Sequence, residues 1–184
     1  MKIDFAGAFY KKTEESSFKM KFVSGTKECV LLHFYNPMVI TLDGKQIETQ
    51  ANACILYRPG TPQIYWCKNN EFENDYIKFL PADMTFFNDF QIPFDEIFYV
   101  TNADIIRREM TDITYFLTER YENHDHELLD RLCKVLSNLQ NNRLYPSIKT
   151  KRESEIRFRL NQLRKKVSEN PEKWTVDLMA DDFF

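Results

Sequence analysis

Along the first half of the chain, apolar and polar positions alternate with a period of two. Phe18, Met20 and Phe22 alternate with Lys19 and Lys21, the pattern of a strand with one buried face. Residues 29–35 form a mostly apolar run enclosing His33, and residues 39–42 and 45–48 flank Asp43-Gly44. Asp-Gly supplies the positive φ angles of a type I′ turn, so these last two runs predict a tight hairpin. Residues 53–57 make another strand that runs into Arg58-Pro59-Gly60-Thr61-Pro62, where two prolines and a glycine forbid ladder pairing and predict a turn. Residues 64–67 and 72–80 lie on either side of a polar Lys68-Asn69-Asn70 break. About six or seven short strands between such turn signals predict a barrel or sandwich.

Past Asp83 the pattern changes. Residues 84–90 read as a short helical or irregular cover, closed by Ile92-Pro93-Phe94. From Asp104 the period is helical, with Ile106, Met110, Ile113, Leu117 and Tyr121 on one face. His124-Asp125-His126 makes a turn, with Asp125 as N-cap of a helix over residues 127–141. That helix carries Leu128, Leu132, Val135 and Leu139 on one stripe and Leu129, Cys133 and Leu136 on a second beside it. One stripe is enough to pack a helix on its own domain. The pair therefore fits either of two arrangements: an antiparallel helix contact in a homodimer, made through Leu128, Leu132, Val135 and Leu139, or complete burial within one chain. Residues 143–152 are polar, contain Pro146 and read as a linker. Ile156, Leu160, Leu163 and Val167 then mark an amphipathic helix stopped by Asn170-Pro171, and Trp174 opens another with Thr175 near its cap.

Charge divides the chain in the same place. The net charge is −3 over 184 residues, yet residues 149–166 hold Lys149, Lys151, Arg152, Arg157, Arg159, Arg164, Lys165 and Lys166 against Glu153 and Glu155. Binding to phosphates needs Lys and Arg in excess, so the acidic bulk is not itself a nucleic-acid surface. Aromatic residues make up 15% of the chain and glycines number only 4, which suits a filled core. Cys29, Cys54, Cys67 and Cys133 form no Cys-x-x-Cys pair and read as small core residues in a reducing compartment. The opening residues lack a signal-peptide pattern, and no apolar run approaches the about 20 residues of a membrane helix. A cytoplasmic protein with no membrane partner is expected.

Several motifs, taken in order, resemble AraC/XylS-type bacterial transcription regulators. Ile55-Leu56-Tyr57-Arg58-Pro59-Gly60-Thr61-Pro62-Gln63-Ile64-Tyr65 resembles the family's strand-to-turn segment. Asp75-Tyr76-Ile77-Lys78-Phe79 resembles a following strand, and Ile92-Pro93-Phe94 the stretch before its helices. Residues 163–180, from Leu163-Arg164-Lys165-Lys166-Val167 through Pro171 and Trp174-Thr175-Val176 to Ala180, resemble the opening of its DNA-binding domain. The resemblance implies an N-terminal arm over residues 1–17, which in some members covers the effector. It implies a cupin-like (jelly-roll) β-barrel over 18–102, a helical dimerisation region over 103–142 and a linker over 143–152. Residues 153–184 would be the truncated start of a helix-turn-helix domain. Reading bases needs the second helix of that motif, so DNA would be bound only through a further C-terminal part.

The resemblance places effector contacts at Asn74, Tyr76 and Tyr65, although family members often carry His and Trp where this chain has Asn74 and Tyr76. Strand parity adds Lys78 to the face of Asn74 and Tyr76 and sets Asp75, Ile77 and Phe79 on the other. By the same parity Trp66 lies away from Tyr65. A flat aromatic with amide and hydroxyl groups suits a small polar effector such as a sugar. His33, alone amid Leu31, Leu32 and Phe34, is either a further effector contact or a hydrogen-bonded core residue. Many cupins hold a metal, but the expected late histidine position is Gln63, and the one His-x-His, His124 and His126, lies between helices. No nucleophile grouping or phosphate loop is present in the sequence, so neither catalysis nor a cofactor is expected. The alternatives are a metal-free cupin isomerase or lyase acting on a carbohydrate, and an interaction module with a filled barrel.

Overall fold

The computed structural model describes residues 2–68, 72–119 and 125–144, and beyond them residues 163, 166, 167, 171–175 and 178. The chain divides into two units, Met1–Leu144 and Tyr145–Phe184. The first is mainly β. Its strands are β1 (Ile3–Glu14), β2 (Lys19–Phe22), β3 (Cys29–Phe34), β4 (Met38–Leu42) and β5 (Lys45–Glu48). They continue with β6 (Ala53–Tyr57), β7 (Gln63–Cys67), β8 (Phe72–Pro81), β9 (Ile97–Val100) and β10 (Arg143–Leu144). Two antiparallel sheets result, with orders β1-β8-β3-β6-β9-β10 and β2-β7-β4-β5.

Every residue of β3 and β6 is buried, as a sheet covered on both faces requires. Val30, Leu32 and Phe34 of β3, with Ile55 and Tyr57 of β6, pack against Met38, Ile40, Tyr65 and Cys67 of the smaller sheet. The opposite parity, Cys29, Leu31, Cys54, Leu56, Ile77 and Phe79, packs against the helices. The larger sheet therefore separates two cores. Burial raises the Cys29 thiol to about 12 and raises that of Cys54 too, which keeps both as neutral core groups.

The turn chemistry is as expected. Leu42 pairs with Lys45 across Asp43 (φ 49) and Gly44 (φ 74), the two positive φ angles of a type I′ hairpin. The Arg58-Pro59-Gly60-Thr61 turn closes with Thr61 N–H on Arg58 O at 3.2 Å, and Gly60 has φ 80, the signature of a type II turn. Residues 84–90 become a 3-10 helix, Met84–Asp89, which buries Phe86 and Phe87.

Helix α1 (Ala103–Thr118) starts at Asn102, whose side chain accepts from the Asp104 N–H, and it buries Ile106, Met110 and Ile113. Helix α2 (Asp125–Asn142) buries Leu128, Leu132, Val135, Leu136 and Leu139 against α1 and the outer face of the larger sheet. Arg131 ties the helices together, with Nη1 3.1 Å from Glu109 and 2.7 Å from Asp112. The residues assigned to a dimer contact, Leu128, Leu132, Val135 and Leu139, thus lie in the chain's own core. The outer face of the larger sheet is packed by α1 on β1 and β8, and α2 packs on α1. Leu136 of its second stripe is buried in the same core, with Leu129 and Cys133 partly buried against it.

Two boundaries also differ from expectation. Residues 3–14 are not a loose arm but strand β1, paired with β8 along its length, with register shifts between Phe5 and Gly7 and between Phe9 and Lys12. The expected linker begins inside the sheet: β10 pairs Arg143 with Val100 and Leu144 with Tyr99, and Thr101 N–H donates to Asn142 O at 2.8 Å. In the second unit Leu163, Lys166, Val167 and Leu178 are helical, and Thr175 Oγ1 accepts from the Leu178 N–H at 3.3 Å, the contact of a capping threonine. The expectations for Tyr121, His124, Ile156 and Leu160 fall outside the described residues. No described helix is long and apolar enough to cross a membrane.

Candidate functional site: a cavity between the two sheets

A cavity of about 60 Å³ opens at one end of the core between the sheets. Its polar lining is Lys12, Gln63, Tyr65, Asn74, Tyr76 and Lys78. Strand parity puts them together: β8 turns Asn74, Tyr76 and Lys78 inward, β7 turns Gln63 and Tyr65 inward, and β1 brings Lys12 opposite Asn74. Phe18, Met20 and Phe22 line one side, and Val30 and Leu32 of β3 another. The space is large enough for a few water molecules at about 15 Å³ each. Trp66 is not among the lining residues; Lys19 Nζ sits 3.9 Å from the centre of its ring.

The aromatic residues are held by one another. Tyr65 stacks on Phe72 (centroids 5.9 Å apart, planes at 9°) and takes the edge of Phe34 at 5.2 Å, while Phe9 of β1 stacks on Tyr76 at 6.3 Å. Burial pushes the Tyr65 hydroxyl well above its ordinary range, with Tyr76 adding to the shift, so it is a neutral hydrogen-bonding group. Asn74 is only 2% exposed. Its Nδ2 donates to the Asp75 carbonyl at 3.3 Å, but its Oδ1 is buried without a donor. A buried amide oxygen left unpaired costs about 1–3 kcal/mol. Gln63 Nε2 donates to Thr26 Oγ1 at 3.2 Å.

Thr26 is fixed by a close backbone contact. Gly60 N–H donates to Thr26 O at 2.8 Å, and Gly25, at φ +66, lies so near that a Cβ would stand 2.4 Å from Gly60 C. Gly25→Ala is therefore expected to lower stability by about 2–3 kcal/mol, from left-handed strain plus overpacking. Gly44→Ala, with open space around it, should lose only about 1 kcal/mol. Urea denaturation of both variants checks this; equal losses would mean that the Gly25 contact is not tight.

His33 is not part of the cavity. It is fully buried on the opposite face, with Nδ1 2.9 Å from Asp75 Oδ2 and Nε2 3.3 Å from Asn52 Oδ1. The β3–β8 register sets His33 directly across from Asp75, and both share the parity that faces away from the smaller sheet. Asp75 Oδ1 also accepts from the Tyr35 hydroxyl at 2.9 Å and the Lys11 N–H at 2.8 Å. Arg107 of α1 donates to Asn52 Oδ1 at 2.9 Å and lies 4.4 Å over the Tyr35 ring. These contacts join α1 to the strand whose next residues on either side, Asn74 and Tyr76, line the cavity.

Of the expected effector residues, the cavity gathers Tyr65, Asn74, Tyr76 and Lys78. Sequence reading missed Lys12, which lies in the segment taken for an arm, and gave Gln63 only a comparison with a metal ligand. Lys12 enters through the pairing of β1 with β8, which leaves no local signal, whereas Gln63 shares the parity of Tyr65 on β7 and could have been found by it. Among the described residues no group of three His, Cys, Asp or Glu side chains is placed to hold a metal ion. No protein-family model and no curated protein matches this sequence.

Proposed function

We propose that the chain is the effector-sensing part of an AraC-type transcription regulator, with a cupin-like barrel built from its two sheets. A small polar ligand, sugar-like in its array of hydrogen-bonding groups, binds in the cavity between them. The observation that carries this reading is Asn74: an amide oxygen buried without a donor, in a cavity that also gathers Tyr65, Tyr76 and Lys78. An unpaired buried acceptor beside stacked aromatics is what a site pre-shaped for a hydrogen-bonding ligand presents. A sugar ring is larger than the closed cavity, so the short edge strand β2 moves outward to admit it, with Met20 and Phe22 still lining the wider space. DNA would be bound by a following helix-turn-helix region. A homodimer belongs to the proposal too, but with Leu128, Leu132, Val135 and Leu139 buried, other side chains would have to make its contact.

Asn74→Leu separates binding from folding. It removes the unpaired oxygen, so without ligand the variant should be about 1 kcal/mol more stable than the parent chain. A ligand at 100 times its dissociation constant should stabilise the parent by about 2.7 kcal/mol, a shift of several degrees. That shift should vanish in Asn74→Leu, and the ligand should be recovered chemically unchanged. A converted ligand would favour the rival reading, a metal-free cupin isomerase or lyase. Destabilisation of ligand-free Asn74→Leu, with no thermal shift from any sugar, would favour a filled interaction module.

A further inference from the structure

We infer that the ligand of this cavity carries an anionic group, a carboxylate in the simplest case, and that Lys78 is its counter-charge. The inference rests on the sensor reading above and narrows its ligand class. Two of the six polar lining side chains are cationic and none is acidic. The cations differ. Lys12 is already paired, its Nζ 2.6 Å from Glu14 Oε1. Lys78 has no carboxylate within ion-pair distance among the described residues; its ammonium lies 5.5 Å from the centre of the Tyr76 ring. It springs from the same strand face as Asn74, four residues along, where β3 sets Val30 opposite it. The cavity thus has an unneutralised ammonium at its half-exposed side and an unpaired, 2%-exposed amide oxygen within.

A neutral polyol would satisfy Asn74 Oδ1 and leave the Lys78 charge to water. A ligand with a donor at one end and a carboxylate at the other satisfies both, and the apolar walls formed by Phe18, Met20 and Phe22 raise the value of the charge contact by thinning the water around it. The neutral, buried Tyr65 hydroxyl adds no competing negative charge.

The test uses the whole chain and matched pairs that keep a hydroxyl donor and differ in one group: galacturonate with galactose, and 4-hydroxybenzoate with 4-hydroxybenzamide. Binding is followed through the Asn74 side-chain amide resonances by heteronuclear NMR, in the parent chain, Lys78→Gln and Lys78→Arg. Both substitutions fall at a half-exposed position and leave the core intact. For at least one pair the acid should bind about tenfold tighter than its neutral partner, move the Asn74 amide, and weaken as salt is raised. Lys78→Gln should bring the pair to parity, and Lys78→Arg should keep the preference. Equal or tighter binding of the neutral partners, or an acid preference that survives Lys78→Gln, overturns the anionic assignment and leaves the cavity as a neutral-ligand site. If no member of either pair moves Asn74 at millimolar concentration, the anionic assignment falls, while the sensor reading is decided by the stability and thermal shift of Asn74→Leu.

Discussion

Leu132→Glu is expected to leave the first unit without a cooperative thermal transition. Leu132 is fully buried in the core that α2 shares with α1 and the outer face of the larger sheet, in one cluster with Ile106, Ile113, Val135 and Leu136. A carboxylate there has no cation built to meet it, and burying an unpaired charge costs several kcal/mol beyond the lost apolar contacts. Domains of this kind hold about 5–15 kcal/mol in all. Leu132→Ala, which only opens a cavity, should lose about 2–5 kcal/mol and remain folded. Near-UV circular dichroism on heating reads both outcomes. If Leu132→Glu instead melted as sharply as the parent chain but sedimented at half the mass, α2 would be a subunit interface and not part of the monomer core.

Asp75→Ala should be nearly as damaging, at about 3–5 kcal/mol. The carboxylate accepts from His33, Tyr35 and the Lys11 backbone on a fully buried site, and its removal strands three donors at once. Asp75→Asn keeps an acceptor for part of this set and should lose distinctly less. Denaturant titration separates the two. Equal losses for Ala and Asn would show that the negative charge, not the hydrogen bonds, holds the cluster. Because Asp75 lies between Asn74 and Tyr76 in sequence and on the opposite face, Asp75→Asn should also weaken ligand binding without touching the cavity wall; an unchanged dissociation constant would uncouple the two faces.

The contrast between His33 and Lys78 shows how far sequence reading reached. Both sit in strands; the sequence places Lys78 on the effector face and leaves His33 open between an effector contact and a hydrogen-bonded core residue. For Lys78 the period-two rule was sufficient, because Asn74, Tyr76 and Lys78 must share a face whatever the strand pairs with. For His33 it was not, because a run buried at every position carries no alternation to say which face is which. Its partner Asp75 is 42 residues away, and only the β3–β8 register brings them together. The double stripe on α2 was visible in the same way, but a stripe records only that a face is apolar, not whether its own chain or a second subunit covers it.

The sequence by itself determined the local structure: the Asp43-Gly44 hairpin, the Pro59-Gly60 turn, the strand faces of β7 and β8 and the amphipathic helices. These depend on backbone preferences and on periodicities of two and 3.6, which act between near neighbours. The tertiary structure alone decided that residues 3–14 pair with β8 and bring Lys12 to the cavity, and that β10 closes the sheet after α2. It also decided that both stripes of α2 turn into the core of their own chain and that His33 belongs to Asp75. Each of these is a pairing across a long stretch of chain, chosen by which buried faces and donors satisfy one another, and no short segment carries that information.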